Sequence, residues 1–371
     1  MIPVNEPLLP GNELKYVADC ISTGWISSAG KYIDNFEKAW SAYCDRKYGV
    51  AVSNGTVALE LAISALELPK DSEVILPSFT IASCLEAVLR NGLKPVLVDC
   101  DPRTYCMSVP AVESAITPNT SAAMPVHIYG HPVNMNALLK ITKQYNLKVV
   151  EDAAEVHGAT CRVNGDWRKC GSFGEVSCFS FFANKNITCG EGGIILTDNE
   201  ALYRKMVDRR TLCFGHKERF CHEDRGWNFR MTNLQAALGC AQLENIDRFI
   251  KRKRSMAEAY NSGFNGLPLQ LPFVENWANS SVWMYAILLK DEVPYGAVEF
   301  AKQLMDRGVQ TRPFFRGMHD QPVYLERGLI DRFDCPVTDK IYQRGLYLPS
   351  GQAITDEQID KVIQIVREVL V

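Results

Sequence analysis

The chain has 371 residues, of which 47 % are hydrophobic and 22 % charged, and its formal net charge is −3. This composition is typical of a globular protein, and the length suits a large domain with a smaller one. The charge gives no general attraction for nucleic acid or an anionic membrane. No run approaches the roughly 18 apolar residues of a membrane-spanning helix, and the first residues lack the features of a signal peptide. We therefore expect a cytoplasmic protein that binds neither nucleic acid nor membranes.

The chain contains 13 cysteines with no CxxC pair among them. A disulfide framework or a zinc site would need paired spacings. We expect reduced thiols that pack as small apolar side chains, and no metal site.

Short apolar runs alternate with helical patterns through the first half of the chain. Helices are predicted over 12–22, 33–44, 56–66 and 81–92, with a polar loop over 22–32. Strands are predicted over 48–53, 73–77, 94–99, 122–128, 147–152, 175–181 and 192–197. Strands that are apolar on both faces, with helices between them, predict an α/β fold with a mostly parallel sheet sandwiched by helices. Binding sites in such folds lie at the carboxyl ends of the strands.

The second half indicates a smaller α+β domain. One long helix is predicted from about 233 to 264, a strand over 282–290, and further helices over 297–308 and 355–371. We therefore expect a large domain with an N-terminal segment over 1–245 and a small domain with the connecting helix over 246–371.

One lysine stands out, in the segment FFANKNITCGEGG (181–193). Lysine forms Schiff bases with carbonyl groups, and burial against an apolar wall lowers its pKa and makes it nucleophilic. Phe181 and Phe182 are candidates for that wall, and the following glycines let backbone approach a bound group. A single lysine in a loop is nevertheless usually a solvated surface charge.

Three companions strengthen the interpretation of Lys185. Asp152 ends a strand, where it suits a protonated pyridine nitrogen, although acids there are also common as helix caps. Asn-Gly-Thr at 54–56 joins a strand to a helix, and helix N-termini attract phosphate, although Asn-Gly is also an ordinary turn. Ser180 adds a hydroxyl near the lysine. Together these groups predict a pyridoxal 5′-phosphate (PLP) site.

With these motifs the chain resembles the DegT/DnrJ/EryC1/StrS family of sugar aminotransferases, which have the type I, aspartate aminotransferase-like fold. The resemblance covers nearly the whole chain, and the segments that carry it are GWISSAGKYIDNFEKAW, VSNGTVALELA, VHIYGHP, VVEDAAEVHGA, FSFFANKNITCGEGG, NFRMTNLQAALGCAQLE, RPFF and LYLPS.

The resemblance implies roles for individual residues around the cofactor. Lys185 would hold PLP covalently and move the proton, Asp152 would pair with the pyridine nitrogen, and Glu155 would lie near the ring hydroxyl. The phosphate would be held by Gly55, Thr56 and Ser180, and by Asn228 of a neighbouring subunit with help from Arg230. This arrangement implies a homodimer with shared active sites. The alternative for Asn228 and Arg230 is a helix-start cap and a surface charge.

The substrate end of the site is implied more loosely. Its candidates are Trp25, Ser27, His127, Arg230, Arg312, Phe314 and His319. Arg312 and His319 are equally well explained as interface or core polar groups. The family usually has an aromatic residue against the PLP ring where this chain has Ile81, so stacking there is lost although packing remains.

The implied activity transfers the amino group of L-glutamate, which becomes 2-oxoglutarate, to C4 of a nucleotide-linked 4-keto-6-deoxy sugar. The segments WISSAGKY, FSFFANKNITCGEGG and NFRMTNLQAALG favour members that convert GDP-4-keto-6-deoxymannose to GDP-perosamine, a sugar of lipopolysaccharide O-antigens. The alternatives are a UDP- or dTDP-linked sugar with a 4-amino or 3-amino product, a PLP-dependent sugar 3-dehydratase, and a non-catalytic regulator. Family dehydratases carry histidine in place of Lys185, and no basic DNA-binding stripe supports a regulator.

Overall fold

The computed structural model describes residues 1–214, 218 and 220–371. Its strands, in chain order, are β1 (Tyr48–Val52), β2 (Glu73–Pro77), β3 (Lys94–Val98), β4 (Thr120–Ala123), β5 (Lys148–Asp152), β6 (Thr160–Val163), β7 (Asp166–Lys169), β8 (Val176–Ser180), β9 (Gly193–Thr197), β10 (Leu269–Gln270), β11 (Ala278–Asn279), β12 (Tyr285–Leu289), β13 (Arg312–Pro313) and β14 (Gly345–Leu348). Its α-helices are α1 (Glu13–Thr23), α2 (Lys31–Tyr43), α3 (Gly55–Leu66), α4 (Ala82–Arg90), α5 (Val109–Ser114), α6 (Met135–Gln144), α7 (Glu200–Arg210), α8 (Asn233–Leu243), α9 (Ile246–Gly263), α10 (Ala297–Asp306), α11 (Pro322–Glu326), α12 (Pro336–Arg344) and α13 (Asp356–Leu370).

A seven-stranded sheet forms the centre of the larger part of the molecule. Its strand order is β1-β9-β8-β5-β4-β2-β3. The strands from β8 to β3 run parallel to their neighbours, whereas β9 is antiparallel to both β1 and β8. Strand residues are buried on both faces because helices cover the sheet on each side. The predicted α/β fold with a mostly parallel sheet is confirmed.

A four-stranded antiparallel sheet of order β10-β12-β14-β13 forms the smaller part. It packs against α9, α10 and α13 around a second hydrophobic core that includes Tyr260 and Phe300. The N-terminal segment lies on this part, since Ile2 N–H donates to Gly308 O at 2.7 Å and Gln310 N–H donates to Ile2 O at 3.0 Å. The sequence-based division, which groups the N-terminal segment with the large domain and places the boundary at 245/246, stays a proposal.

The long helix predicted from about 233 is two helices, so that prediction is wrong. α8 begins with a capping box between Thr232 and Gln235 and ends at Leu243. Asn245 then leaves the helical conformation, with φ −108°, and its side-chain amide donates to Ala241 O at 3.2 Å. Asparagine side chains compete for backbone groups in this way and interrupt helices.

The cysteines are unpaired thiols, and most of them are buried. Among the described residues, none of the helices is both long enough and apolar enough to cross a bilayer.

Candidate active site

A cavity of about 790 Å³ opens where β5 and β8 end and α3 begins. It gathers side chains from segments that lie far apart in the chain. Its lining includes Asn54, Gly55, Thr56, Thr80, Ile81, Asp152, Glu155, Ser180, Phe182, Asn184, Lys185, Trp227, Phe229, Trp283, Phe315 and Tyr347. The structure therefore brings together the lysine and seven of the residues that the sequence analysis placed around the cofactor or beside the lysine: Gly55, Thr56, Ile81, Asp152, Glu155, Ser180 and Phe182.

Lys185 is the buried amine of this cavity, with 10 % of its side chain exposed. A turn after β8 carries it, in which Lys185 N–H donates to Phe182 O at 2.9 Å. Burial lowers the pKa of Lys185, and the nearby carboxyl of Glu155 opposes that effect. A lysine with a lowered pKa has a larger neutral, nucleophilic fraction at neutral pH.

The aromatic surface beside this amine differs from the one that the sequence suggested. Phe181 is fully buried and packs on Trp40 and Phe36, away from the cavity. Trp283 instead lies against the lysine, with Nζ 3.7 Å from the ring centroid. Trp283 was missed because it lies about 100 residues away, just before β12, with no local motif around it.

Glu155 is the acid closest to the amine. Its Oε1 lies 3.6 Å from Lys185 Nζ, and its Oε2 accepts from Tyr129 N–H at 2.9 Å. Burial raises the pKa of Glu155 to about 7, against the opposing charge of Lys185. Because the pKa of the amine is shifted down and that of the acid up, the two values lie closer together than in water, which favours proton exchange between the two groups.

Asp152 is the last residue of β5 and is buried. Its Oδ1 accepts from Ala154 N–H at 3.0 Å, and its Oδ2 accepts from the Cys84 thiol at 3.0 Å. Burial and the charge of Asp152 raise the pKa of Cys84, so this thiol stays protonated and donates. No sequence motif pointed to Cys84, which reaches the acid from the first turn of α4.

The start of α3 forms a narrow cradle. A Cβ on Gly55 would lie 2.6 Å from Ser180 Cβ, and a Cβ on Gly193 would lie 2.4 Å from Asn54 O. Asn54 caps the helix by accepting from Val57 N–H at 3.0 Å. The glycines thus allow the end of β8 and the start of β9 to approach the helix N-terminus, where backbone N–H groups and the helix dipole favour an anion.

His127 does not line the cavity, which corrects its expected role at the substrate end. It is fully buried, with Nε2 2.9 Å from Glu151 Oε1 and Nδ1 accepting from Val133 N–H at 2.9 Å. The sulfur of Cys170 lies within 4.8 Å of a ring nitrogen of His127 and a carboxylate oxygen of Glu151. Glu151 also accepts from Gly171 N–H at 2.6 Å and Phe173 N–H at 2.9 Å. Because these groups already satisfy one another, His127 holds neighbouring loops in place.

Phe314 and His319 also lie outside the cavity lining. Phe314 is buried in an aromatic cluster with Phe79, Tyr105 and Tyr129, while the next residue, Phe315, lines the cavity. Successive side chains of an extended segment point to opposite sides, so Phe315 faces the cavity and the predicted Phe314 does not. His319 is bound within the fold to Ser78 and Asp339.

The remaining candidates lie on the surface of this chain, outside the cavity. Trp25, Ser27, Asn228 and Arg312 are exposed, and Arg230 is half-buried with its Nε donating to Asn228 Oδ1 at 2.9 Å. Contacts of these residues with a cofactor or substrate stay predictions.

A family model described as the DegT/DnrJ/EryC1/StrS aminotransferase family matches residues 8–367. GDP-perosamine synthase of Vibrio cholerae is 38 % identical over 367 residues, which is 99 % of this chain and 98 % of that protein. GDP-perosamine synthase of Caulobacter vibrioides is 39 % identical over 372 residues, which is 100 % of this chain and 98 % of that protein. The crystal structure of DesV from S. venezuelae in complex with a ketimine intermediate is 31 % identical and superposes with a TM-score of 0.89, covering 97 % of this chain and 94 % of that chain. The chain therefore belongs to the DegT/DnrJ/EryC1/StrS aminotransferase family.

Proposed function

We propose that this protein is a PLP-dependent aminotransferase that moves the amino group of L-glutamate to C4 of GDP-4-keto-6-deoxymannose and produces GDP-perosamine. The observation that carries the chemistry is the buried pair of Lys185 and Glu155, 3.6 Å apart, in a cavity that also holds an anion-binding helix N-terminus. The full-length similarity to proteins named GDP-perosamine synthase supports the choice of substrate.

The donor set of the cavity fits PLP. Lys185 supplies the amine, Asp152 supplies a buried acid for the pyridine nitrogen, and the cradle of Gly55, Thr56 and Ser180 at the start of α3 suits a phosphate. When bound, PLP supplies an electron sink that stabilises negative charge on the carbon bearing the transferred amine.

The chain's own groups then do four things. Lys185 would take the proton from the amine-bearing carbon of L-glutamate as a general base and give it, as a general acid, to the cofactor carbon that receives the nitrogen. In the half-reaction with the sugar it would move a proton the other way, to C4 of the sugar. Glu155 holds or releases a proton beside the amine, since its pKa lies near 7. Asp152 would pair with the ring nitrogen, and its two hydrogen bonds fix the position of the carboxyl group. Trp283 and Phe315 form an apolar wall that limits water around the amine.

The similar proteins also bear on the alternatives. Three relatives that span nearly the whole chain are named for GDP-perosamine, which favours a GDP sugar over a UDP- or dTDP-linked one. The lysine at position 185 supports transamination over dehydration, because an amine that holds the cofactor is needed in each turnover.

We further propose that the protein works as a homodimer in the cytoplasm. Ile81 and Phe182 are 49 % and 44 % exposed at the cavity, which suits cover by a second copy. Asn228 and Arg230 lie on the surface of this chain, where they are available to a neighbour's phosphate. Sedimentation of the protein with PLP tests this, and a monomer that turns over at the normal rate would contradict it.

The test of function offers purified protein, PLP and L-glutamate to GDP-4-keto-6-deoxymannose and, separately, to UDP-4-keto-6-deoxyglucose. We expect a 4-amino sugar, identified by mass and NMR, from the GDP sugar. A product from the UDP sugar alone would reject the GDP sugar as the substrate but would still support PLP-dependent transamination. A 3-deoxy product or no transfer from glutamate would reject transamination.

A further inference from the structure

His319 joins two parts of the molecule that lie more than two hundred residues apart in sequence. Its Nδ1 lies 2.6 Å from the hydroxyl of Ser78, which follows β2 of the large sheet. Its Nε2 lies 3.2 Å from Oδ1 of Asp339 on α12. Ser78 is fully buried, His319 is 8 % exposed, and half of the Asp339 side chain is exposed.

The hydroxyl of Ser78 makes two hydrogen bonds to His319. Its Oγ accepts from His319 backbone N–H at 3.2 Å and shares a second hydrogen bond with Nδ1, in which either group can donate. In the tautomer in which Nδ1 accepts from the hydroxyl, Nε2 carries the ring proton and donates to Asp339. The backbone adds a parallel contact, because Met318 N–H donates to Ser78 O at 2.9 Å.

A glycine makes this packing possible. A Cβ on Gly317 would lie 2.5 Å from His319 Nδ1 and 2.8 Å from Thr338 Cγ2. Any larger residue at 317 would push the imidazole away from Ser78, since contacts under 3.0 Å force a shift.

Ser78 opens the segment 78–81 that borders the cavity. Thr80 and Ile81 line the cavity, and Thr80 Oγ1 lies 3.2 Å from the Cys84 thiol, which in turn donates to Asp152. A displacement of Ser78 would therefore also move Ile81 at the cavity wall and disturb the contacts of Asp152, the acid proposed for the ring nitrogen.

We propose that Ser78, His319 and Asp339 form a positioning relay that holds segment 78–81 against the cofactor face of the cavity. His319 thus acts through Ser78 and contacts neither the cofactor nor the sugar. The same three residue types occur in hydrolases, but here the serine is sealed in the core and bound to Nδ1, so it has no access to a substrate. This inference rests on the proposed function, because it concerns the placement of PLP.

Two amide substitutions separate the two ends of the imidazole. In His319→Asn the amide oxygen takes the place of Nδ1 and can accept from Ser78, whereas in His319→Gln the amide nitrogen takes the place of Nε2 and reaches Asp339 only. Ser78→Ala removes the same bond from the other side. Asp320→Asn is the matched control, because this neighbouring acid pairs with Arg316 on the surface at 2.6 Å.

The experiment measures PLP dissociation constants and the circular dichroism of the bound-cofactor band, with the melting temperature of each apoprotein as the measure of folding. We expect His319→Gln and Ser78→Ala to weaken PLP binding by about 10-fold and to change the cofactor band, and His319→Asn to recover most of both, since one buried hydrogen bond is at stake. Equal losses in Asn and Gln variants, or unchanged PLP binding and band in Ser78→Ala and His319→Gln, would overturn the relay. If wild type binds no PLP, the proposed function itself fails, which is a distinct outcome.

Discussion

Trp283 contacts two buried lysines, Lys185 through its indole ring and Lys253 through its backbone carbonyl. Lys185 Nζ lies 3.7 Å from the ring centroid, and the ring N–H donates to Asn184 O at 2.8 Å, next to that lysine. On the other side, Lys253 Nζ donates to the carbonyl of Trp283 at 2.7 Å and also to that of Ser350. Of the two lysines, Lys185 lines the cavity, so the indole packs on the cavity amine while Lys253 links the backbone at Trp283 to that at Ser350.

Replacing Lys185 by Ala should abolish turnover while leaving non-covalent PLP binding. We expect a rate loss of at least about 10³-fold, the upper part of the range for losing a general acid–base group, because the covalent link is lost as well. Product formation measured alongside a PLP titration separates the two effects. A variant with normal turnover would refute the role of Lys185.

Replacing Glu155 by Gln should flatten the pH dependence of apoprotein stability. The folded protein raises the pKa of Glu155 to about 7 from 4.5, so it retains a proton that the unfolded chain releases in between. That stabilisation is fully present below about pH 4.5 and is lost as the pH rises through 7, by roughly 3 kcal/mol. Thermal or urea unfolding of both proteins between pH 4.5 and 7.5 measures the difference. Identical pH profiles would show that Glu155 titrates normally.

Replacing Gly55 by Ala should damage the cradle at the start of α3. The added Cβ would lie 2.6 Å from Ser180 Cβ, so the end of β8 or the helix must move. We expect PLP affinity to fall by about 10-fold or more, because the backbone N–H groups no longer converge on one anion. The double variant with Ser180→Gly removes the clash and should recover stability, although it lacks the hydroxyl. If Gly55→Ala left the PLP affinity unchanged, the phosphate would have to bind somewhere other than this cradle.

Replacing Lys253 by Met should remove a stability gain at alkaline pH. Burial lowers the pKa of Lys253 to about 7 from 10.5. Between these values the folded state gives up a proton that the unfolded chain keeps, so this lysine makes stability rise with pH, by roughly 5 kcal/mol across the whole window. The stability difference between wild type and K253M should therefore grow from pH 7 to pH 10. The exposed Lys340, paired with Asp291 at 2.9 Å, gives the control K340M, which should change nothing in this window.

The parts of the site that follow directly from strand ends could be predicted from sequence. Asp152 ends β5, Ser180 ends β8 and Gly55 starts α3, and the parallel sheet brings such ends to one edge. Cys84 and Trp283 could not be found this way, because their roles depend on contacts across 68 and about 100 residues.

The sequence also could not predict which way some side chains point. Phe314 and Phe315 occupy one extended segment, and only the packing of Phe314 against Phe79 decides which of the two faces the cavity. Histidine is a residue type common in active sites, so His127 and His319 were candidates. Their actual partners, Glu151 and Ser78, can be identified only from the folded structure.

The most direct measurement is the place where PLP attaches to the chain. The holoenzyme is reduced with borohydride, which makes a lysine–cofactor bond permanent, then digested and mapped by mass spectrometry. We predict that the added mass lies on Lys185 and that L-glutamate, added before the borohydride, prevents the labelling. Labelling of Lys253, the other buried lysine with a lowered pKa, or of no lysine at all, would contradict the assignment of this cavity as the active site.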